Sequence, residues 1–254
     1  MKPGIYVVGT PIGNLGDISV RALDVLRAVQ FILAEDTRHT QILLQRYQIR
    51  KPLISCHRFN EAARQRLVLE KVAAGAAVAL VTNAGMPGVA DPGARIVTAA
   101  RRAGVYLTVI PGASAATAAV ALSGFGGAGF LFEGFLPRKA GARQRRLQAL
   151  RWASVPVVFF EAPQRGLALL AEMNTIFPER DLFAGRELTK LHEECLWGTV
   201  AEVWQEFAQR AGAVRGELVL VLAPASKAER KQKEKTASAE AGDLDQLNEQ
   251  AGRE

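Results

Sequence analysis

Val78-Ala79-Leu80-Val81-Thr82-Asn83-Ala84-Gly85-Met86-Pro87-Gly88-Val89-Ala90-Asp91-Pro92-Gly93 is the stretch on which the fold turns. Val78–Val81 is a short apolar run of the kind a strand buried on both faces shows. It breaks into a loop holding three glycines and two prolines, and a helical stretch begins at Ala94. An open α/β sheet takes its ligand at the carboxyl ends of its strands, where such loops lie. Read alone, the loop is equally a tight structural turn, because strand-loop-helix turns are common in α/β proteins.

Outward from this loop the same pattern repeats. Ile5–Val8 is an apolar strand followed by the loop Gly9-Thr10-Pro11-Ile12-Gly13-Asn14-Leu15-Gly16-Asp17. Ser19 caps a helix running to about Val29, Phe31–Ala34 is a strand, and Glu35-Asp36-Thr37-Arg38-His39-Thr40 sits at its end. Leu53–Ser55 is a short strand, and Asn60 caps a helix to about Ala74. After Ala94–Ala103 come a strand at Tyr106–Val109 and a turn at Pro111-Gly112-Ala113-Ser114-Ala115. Repeated β-loop-α units predict a mostly parallel sheet with its loops gathered at one edge.

Gly124–Gly129 reads as a hinge. Beyond it the strands Phe130–Glu133, Val155–Phe160, Leu182–Ala184, His192–Trp197 and Glu217–Leu222 alternate less regularly with helices, which predicts a mixed sheet. The expected fold class is α/β with two domains, residues 1–112 and 113–225. Residues 226–254 lose their aromatics to Lys, Glu, Gln, Ala and Ser and read as a mobile charged tail.

The chain carries a net charge of +7 with 49% hydrophobic residues. The tail sums to −1, so the body carries +8, a balance that favours a polyanionic partner. Cys56 and Cys195 are the only cysteines and form no CxxC, which fits a reducing, cytoplasmic setting. No leader or membrane-length apolar run is visible, so no membrane partner is expected. The glycine loops match neither the dinucleotide fingerprint nor the P-loop, and the three histidines lack metal-ligand spacing. No metal is expected.

Four ionisable groups in Glu35-Asp36-Thr37-Arg38-His39 are costly to bury unpaired. They are either an internal pair fixing the loop or a substrate-facing cluster. Arg186-Glu187 with Lys190 carries the same alternatives. Arg138, Lys139, Arg143, Arg145 and Arg146 form a basic run, with Arg151 beyond, in a stretch from Gly134 to Phe160 that holds no acid. That run is either a solvated helix face or a set of phosphate contacts.

Thr10-Pro11-Ile12-Gly13-Asn14-Leu15, Glu35-Asp36-Thr37-Arg38-His39-Thr40, Glu133-Gly134-Phe135-Leu136-Pro137, Arg186-Glu187-Leu188-Thr189-Lys190 and Gly216-Glu217-Leu218-Val219-Leu220 together resemble the ribosomal RNA small-subunit methyltransferase I family, a branch of the tetrapyrrole-methylase superfamily. The resemblance spans Ile5 to Leu222. It implies a tetrapyrrole-methylase-like fold with a cofactor cleft between two α/β domains, a homodimer, and S-adenosylmethionine as cofactor. The implied reaction is 2′-O-methylation of a decoding-region cytidine in small-subunit ribosomal RNA, free or in the assembled subunit.

On this resemblance the cofactor meets Pro11, Ile12, Gly85, Met86, Val89, Ser114 and Ala115, and also Phe160, Glu161, Gly185, Arg186, Gly216 and Glu217. Asp36 or Glu35 would accept a proton or organise the site, and Lys190 and Arg38 would hold phosphate or a developing alkoxide. Arg138, Lys139, Arg143, Arg145 and Arg146 would track the RNA backbone. Some family features differ. The central loop usually reads S-D-A-G-T-P, where this chain has Asn83 and Met86. Gln164 replaces a usual histidine, and Cys56-His57-Arg58-Phe59 carries fewer histidines than usual. Two other readings stand beside this one: a tetrapyrrole methyltransferase, or a non-catalytic RNA-binding or ribosome-assembly factor.

Overall fold

A computed structural model describes residues 1–127, 129–210 and 215–230. The chain divides into two compact units, Met1–Ala118 with Glu187–Glu193, and Ala119–Arg186 with Glu194 onward. Among the described residues no helix is long and apolar enough to cross a membrane.

The first unit is built on five parallel strands, β1 (Gly4–Val8), β2 (Phe31–Ala34), β3 (Leu53–Ser55), β4 (Ala77–Val81) and β5 (Leu107–Ile110), in the order β3-β2-β4-β1-β5. Every residue of β2 and β4 is buried, as continuous apolar strands require when both faces are covered. Helices α1 (Val20–Ala28) and α2 (Thr37–Arg46) cover one face, packing Val25, Leu26, Leu43 and Leu44 against Val8, Ile32 and Ala79. Helices α3 (Glu61–Ala73) and α4 (Ala94–Arg102) cover the other with Val68, Val72, Ile96 and Ala100 against Ile5, Leu33 and Leu80. Ser19 caps α1 as expected, its Oγ accepting from the Ala22 amide. Asn60 does not cap α3. Its Oδ1 instead accepts from the His57 amide at 2.8 Å, and its Nδ2 donates to the Ser55 carbonyl at 3.2 Å.

The second unit holds β6 (Leu131–Phe135), β7 (Val157–Glu161), β8 (Asp181–Arg186), β9 (Glu194–Thr199) and β10 (Leu218–Leu222), ordered β6-β7-β10-β8-β9. Only β6 and β7 run parallel, so the sheet is mixed. Helices α6 (Ala140–Ala149), α7 (Pro163–Ile176) and α8 (Val200–Ala208) bury Leu147, Leu169, Met173 and Phe207 against Phe159, Ala184 and Leu220. Thr199 and Glu202 close a capping box at the start of α8. Helix α5 (Ala115–Ser123) contains the point at which the chain passes from one unit to the other. At the start of the segment read as a tail, the Ser226 amide donates to Glu229, and Glu229 pairs with the buried Arg180 at 2.7 Å. Residues 231–254 lie outside the described residues.

Candidate active site

The strand order creates the site. β1 is followed by α1 on one face of the sheet and β4 by α4 on the other, yet β1 and β4 are neighbours. Loops leaving adjacent strand ends toward opposite faces leave a crevice between them, the switch point at which open α/β sheets bind ligands. Thr10 and Gly85 span this point. The Thr10 amide donates to the Gly85 carbonyl at 2.9 Å, and the Gly85 amide returns a bond to Thr10 at 3.1 Å. The Thr10 hydroxyl donates to the Thr82 carbonyl at 3.1 Å.

Two glycines make this packing possible. Gly85 has φ +77°, a conformation other residues adopt only with strain. Gly9 lies against Gly112 so closely that a Cβ on Gly9 would sit 2.7 Å from the Gly112 Cα, and 2.6 Å from the Met86 sulfur. Met86 therefore packs on the first loop, at the place where Gly112 also approaches it, and Ser114 and Ala115 just beyond Gly112 are half-exposed. Pro11 and Ile12 are buried next to them, whereas Val89 projects outward, 64% exposed.

Glu35 and Asp36 leave β2 at the same edge and do different things. Glu35 Oε2 accepts from the Thr82 hydroxyl at 2.6 Å and from the Asn83 amide at 3.2 Å. Asp36 is the N-cap of α2. Its carboxylate accepts from the Arg38 amide and is gripped by the Arg38 guanidinium at 2.8 Å and 3.2 Å. The Arg38 side chain holds the Asp36 carboxyl far below the usual carboxylate range, so at neutral pH Asp36 is an ionised cap and a weak base. The pair is largely in solvent and orders the turn more than it stabilises the fold. Asn83 takes part from the other side, its Oδ1 accepting from the Asp36 amide at 3.2 Å.

Residues 187–193, although they lie between β8 and β9 in sequence, belong to the first unit. The Asn14 amide donates to the Thr189 hydroxyl at 3.1 Å. A Cβ on Gly13 would lie 2.5 Å from the Lys190 Cγ, so Lys190 is laid along the first loop. Its Nζ reaches Glu187 Oε1 at 2.8 Å. Glu187 and Thr189 both have positive φ, +52° and +66°, a strain that persists only where the surroundings hold it and that concentrates at functional sites. Thr82 and Thr189 fall within the motif stretches 78–93 and 186–190, but neither was legible as a site residue in its own right, since a single threonine in a loop has no pattern that tells what its hydroxyl meets. The paired positive φ values also leave no mark in composition.

In the second unit the expected cofactor residues share one sheet edge. Leu218 pairs with Glu161 on one side and Arg186 on the other, so Phe160-Glu161, Gly185-Arg186 and Gly216-Glu217 end up side by side. Two of these side chains are already committed. Glu161 is fully buried in an ion pair with Arg165, and Arg186 holds Glu194 at 2.7 Å and the Arg215 carbonyl at 3.1 Å.

The basic run separates into two groups. Arg143 is 8% exposed and chelated by Glu172 through two hydrogen bonds, 2.5 and 2.7 Å, which corrects its assignment to the RNA surface. A guanidinium held inside the fold cannot reach a phosphate. Arg146 forms a two-bond pair with Glu133, both at 2.6 Å. Arg138, Lys139 and Arg145 are exposed.

The parallel sheet with its switch-point loops, followed by a mixed sheet, defines an α/β protein of the class whose glycine-rich strand ends leave room for a small ligand. The chain belongs to the tetrapyrrole (corrin/porphyrin) methylase family, which matches residues 4–203. Within it, the chain is 45% identical over 218 residues to the ribosomal RNA small subunit methyltransferase I of Thermotoga maritima, covering 86% of this chain and 97% of that one. It is 46% identical over 223 residues to the protein of that name from Neisseria meningitidis serogroup A, covering 87% and 76%. A uroporphyrin-III C-methyltransferase from Thermus thermophilus, solved complexed with S-adenyl homocysteine, shares the fold with a TM-score of 0.60 at 19% identity, over 87% of this chain and 97% of that one.

Proposed function

We propose that this chain is an S-adenosylmethionine-dependent methyltransferase of small-subunit ribosomal RNA, and that its acceptor is the 2′-hydroxyl of a decoding-region cytidine. The observation that carries the reading is the crevice at Thr10–Gly85 with Glu35 at its edge, in a chain more than 40% identical to proteins named as ribosomal RNA small subunit methyltransferases.

The crevice suits this cofactor. Loops 9–17, 82–93 and 111–118 contain no lysine or arginine, which disfavours a phosphate cradle and suits a ligand with positive charge. Main-chain groups of Ile12, Gly85, Ser114 and Ala115 would hold it, with Met86 packing beside it. When bound, S-adenosylmethionine supplies a methyl group on a cationic sulfur.

The chain's own work is alignment and proton removal. Glu35 would accept the ribose proton. Oε2 is fixed by Thr82 and Asn83, and Oε1 makes no hydrogen bond among the described residues. Asp36 serves as organiser through its cap. Lys190, with Arg38, would neutralise the developing alkoxide or a neighbouring phosphate. In the second unit, Phe160-Glu161, Gly185-Arg186 and Gly216-Glu217 are the cofactor residues that the family resemblance implies, acting through main chain where the side chains are committed. Arg138, Lys139 and Arg145 would track the RNA backbone. We extend the same reading to a homodimer and to a cytoplasmic setting. Val109, exposed on the edge strand β5, and Tyr106, just before that strand, support the dimer.

Labelled S-adenosylmethionine incubated with small subunits from cells lacking the gene tests it. Label recovered in a 2′-O-methylcytidine supports the proposal. Label transferred only to uroporphyrinogen, or none transferred to either, overturns it.

A further inference from the structure

Phe59 is 93% exposed, at the tip of the loop joining β3 to α3. Its ring touches the His57 ring edge-on, with centroids 6.1 Å apart at 65°. A single exposed aromatic is ordinary on a protein surface. What sets this one apart is its mounting. Asn60 ties the tip together by accepting from the His57 amide and donating to Ser55, and the Asn60 amide donates to the His57 carbonyl at 3.0 Å. The Phe59 amide itself donates to the His57 ring at 3.3 Å.

The loop is anchored on both sides to the candidate site. On one side the Cys56 amide donates to Ala34, the residue before Glu35, at 2.8 Å. On the other, the buried carboxylate of Glu61 accepts from the amides of Gly93 and Arg95 at 3.0 and 2.9 Å, where the central loop passes into α4. A water-facing ring thus stands on a hydrogen-bonded loop that pairs with the end of β2, just before Glu35, with the exposed cation Arg58 adjacent to it in sequence and Arg38, 90% exposed, in the first turn of α2 beyond that strand end. An aromatic face with adjacent arginines is the arrangement that stacks unpaired bases and holds their phosphates.

We infer that Phe59 and Arg58 form a stacking platform for an unpaired base of the substrate RNA, close to the nucleotide that is methylated. This rests on the ribosomal RNA reading above. Phe59 is a binding residue here and takes no part in the transfer step. The occupant is RNA because the exposed Arg58 adjoins the ring in sequence and the loop that carries it is hydrogen-bonded to the strand end before Glu35; a neighbouring protein surface would call for a wider apolar patch.

The test compares the parent chain with Phe59→Ala, Phe59→Leu and Phe59→Trp, using small ribosomal subunits and a short RNA hairpin of the decoding region. Stacking predicts that Phe59→Ala and Phe59→Leu raise KM for subunits about 5- to 100-fold, far more than they lower kcat, while Phe59→Trp restores KM. Calorimetric binding of S-adenosylhomocysteine should match the parent in all variants, showing that they are folded. Emission from Phe59→Trp should be quenched by the hairpin alone. An unchanged KM in Phe59→Ala overturns the inference, as does rescue by leucine or an emission change that follows protein concentration instead of RNA. Quenching of Phe59→Trp emission by RNA, together with a parent chain that transfers no methyl group, would uphold the platform and defeat the reaction reading.

Discussion

The hydroxyl of Thr82, which follows β4, donates to Oε2 of Glu35, which follows the neighbouring β2, at 2.6 Å. The two residues are 47 positions apart in sequence. They meet because β2 and β4 pair in register, Ala34 opposite Val81.

Thr82→Val keeps the shape of a residue only 2% exposed and removes the donor. It should slow methyl transfer by about tenfold and cost about 1 kcal/mol of stability, the worth of one hydrogen bond. Glu35→Gln can still accept from Thr82 but cannot take up a proton, so kcat should fall by roughly 100- to 10,000-fold with stability near that of the parent. Single-turnover rates and urea titrations of both variants check this, and equal rate losses would remove Glu35 from the proton-acceptor role.

Glu61 sits at the first position of α3 but satisfies the N-terminus of α4, with a third, longer bond from Ile96 at 3.4 Å. Glu61→Ala leaves those buried amides without an acceptor and should cost about 1–3 kcal/mol. Glu61→Gln should recover part of the loss. Urea unfolding midpoints give the measurement.

Glu194 is held by Arg210 and Arg186, and the Arg210 guanidinium is the larger influence, pulling the carboxyl from 4.5 down to about 2. A carboxyl lowered on folding stabilises the fold above its unfolded pKa and loses that contribution as pH falls through the folded one. Glu194→Gln should therefore cost about 1–2 kcal/mol at pH 7, with the difference from the parent shrinking between about pH 5 and pH 2. Denaturation at pH 7, 5 and 3 would show whether the two curves converge.

Arg143 and its neighbours should separate by phenotype. Arg143→Ala strands the Glu172 carboxylate, only 15% exposed, and should destabilise the chain by about 3–5 kcal/mol. Replacing Arg138, Lys139 and Arg145 together by glutamine should leave unfolding unchanged. It should lower the salt slope of RNA binding by about 0.7 for each phosphate these side chains neutralise. A salt slope equal to the parent's would take those three residues off the RNA path.

The apolar runs of β1, β2 and β4 made the parallel sheet legible, because a strand covered on both faces has no polar face to show. The loop motifs, taken together, carried the family, since loops at strand ends have to present particular backbone shapes and small residues. Arg143 was misplaced because a basic run looks the same whether its partner is a phosphate or a glutamate 29 residues away. Asn60 was misassigned because an asparagine before a helix can bond forward into it or, as here, back across its own loop.

From its sequence alone this chain determined an α/β architecture, glycine loops at strand ends and membership of a methyltransferase family. Those depend on local periodicity and on residues whose backbone needs are fixed by chemistry. Only the tertiary structure decided that Glu35 is oriented by Thr82 while Asp36 is committed to Arg38, and that Thr189 and Lys190 lie against the first loop. It also set Phe59 out in water on a fixed mount. Such pairings join residues far apart in the chain, and their bonds are set by strand order and register, which no short stretch of sequence contains.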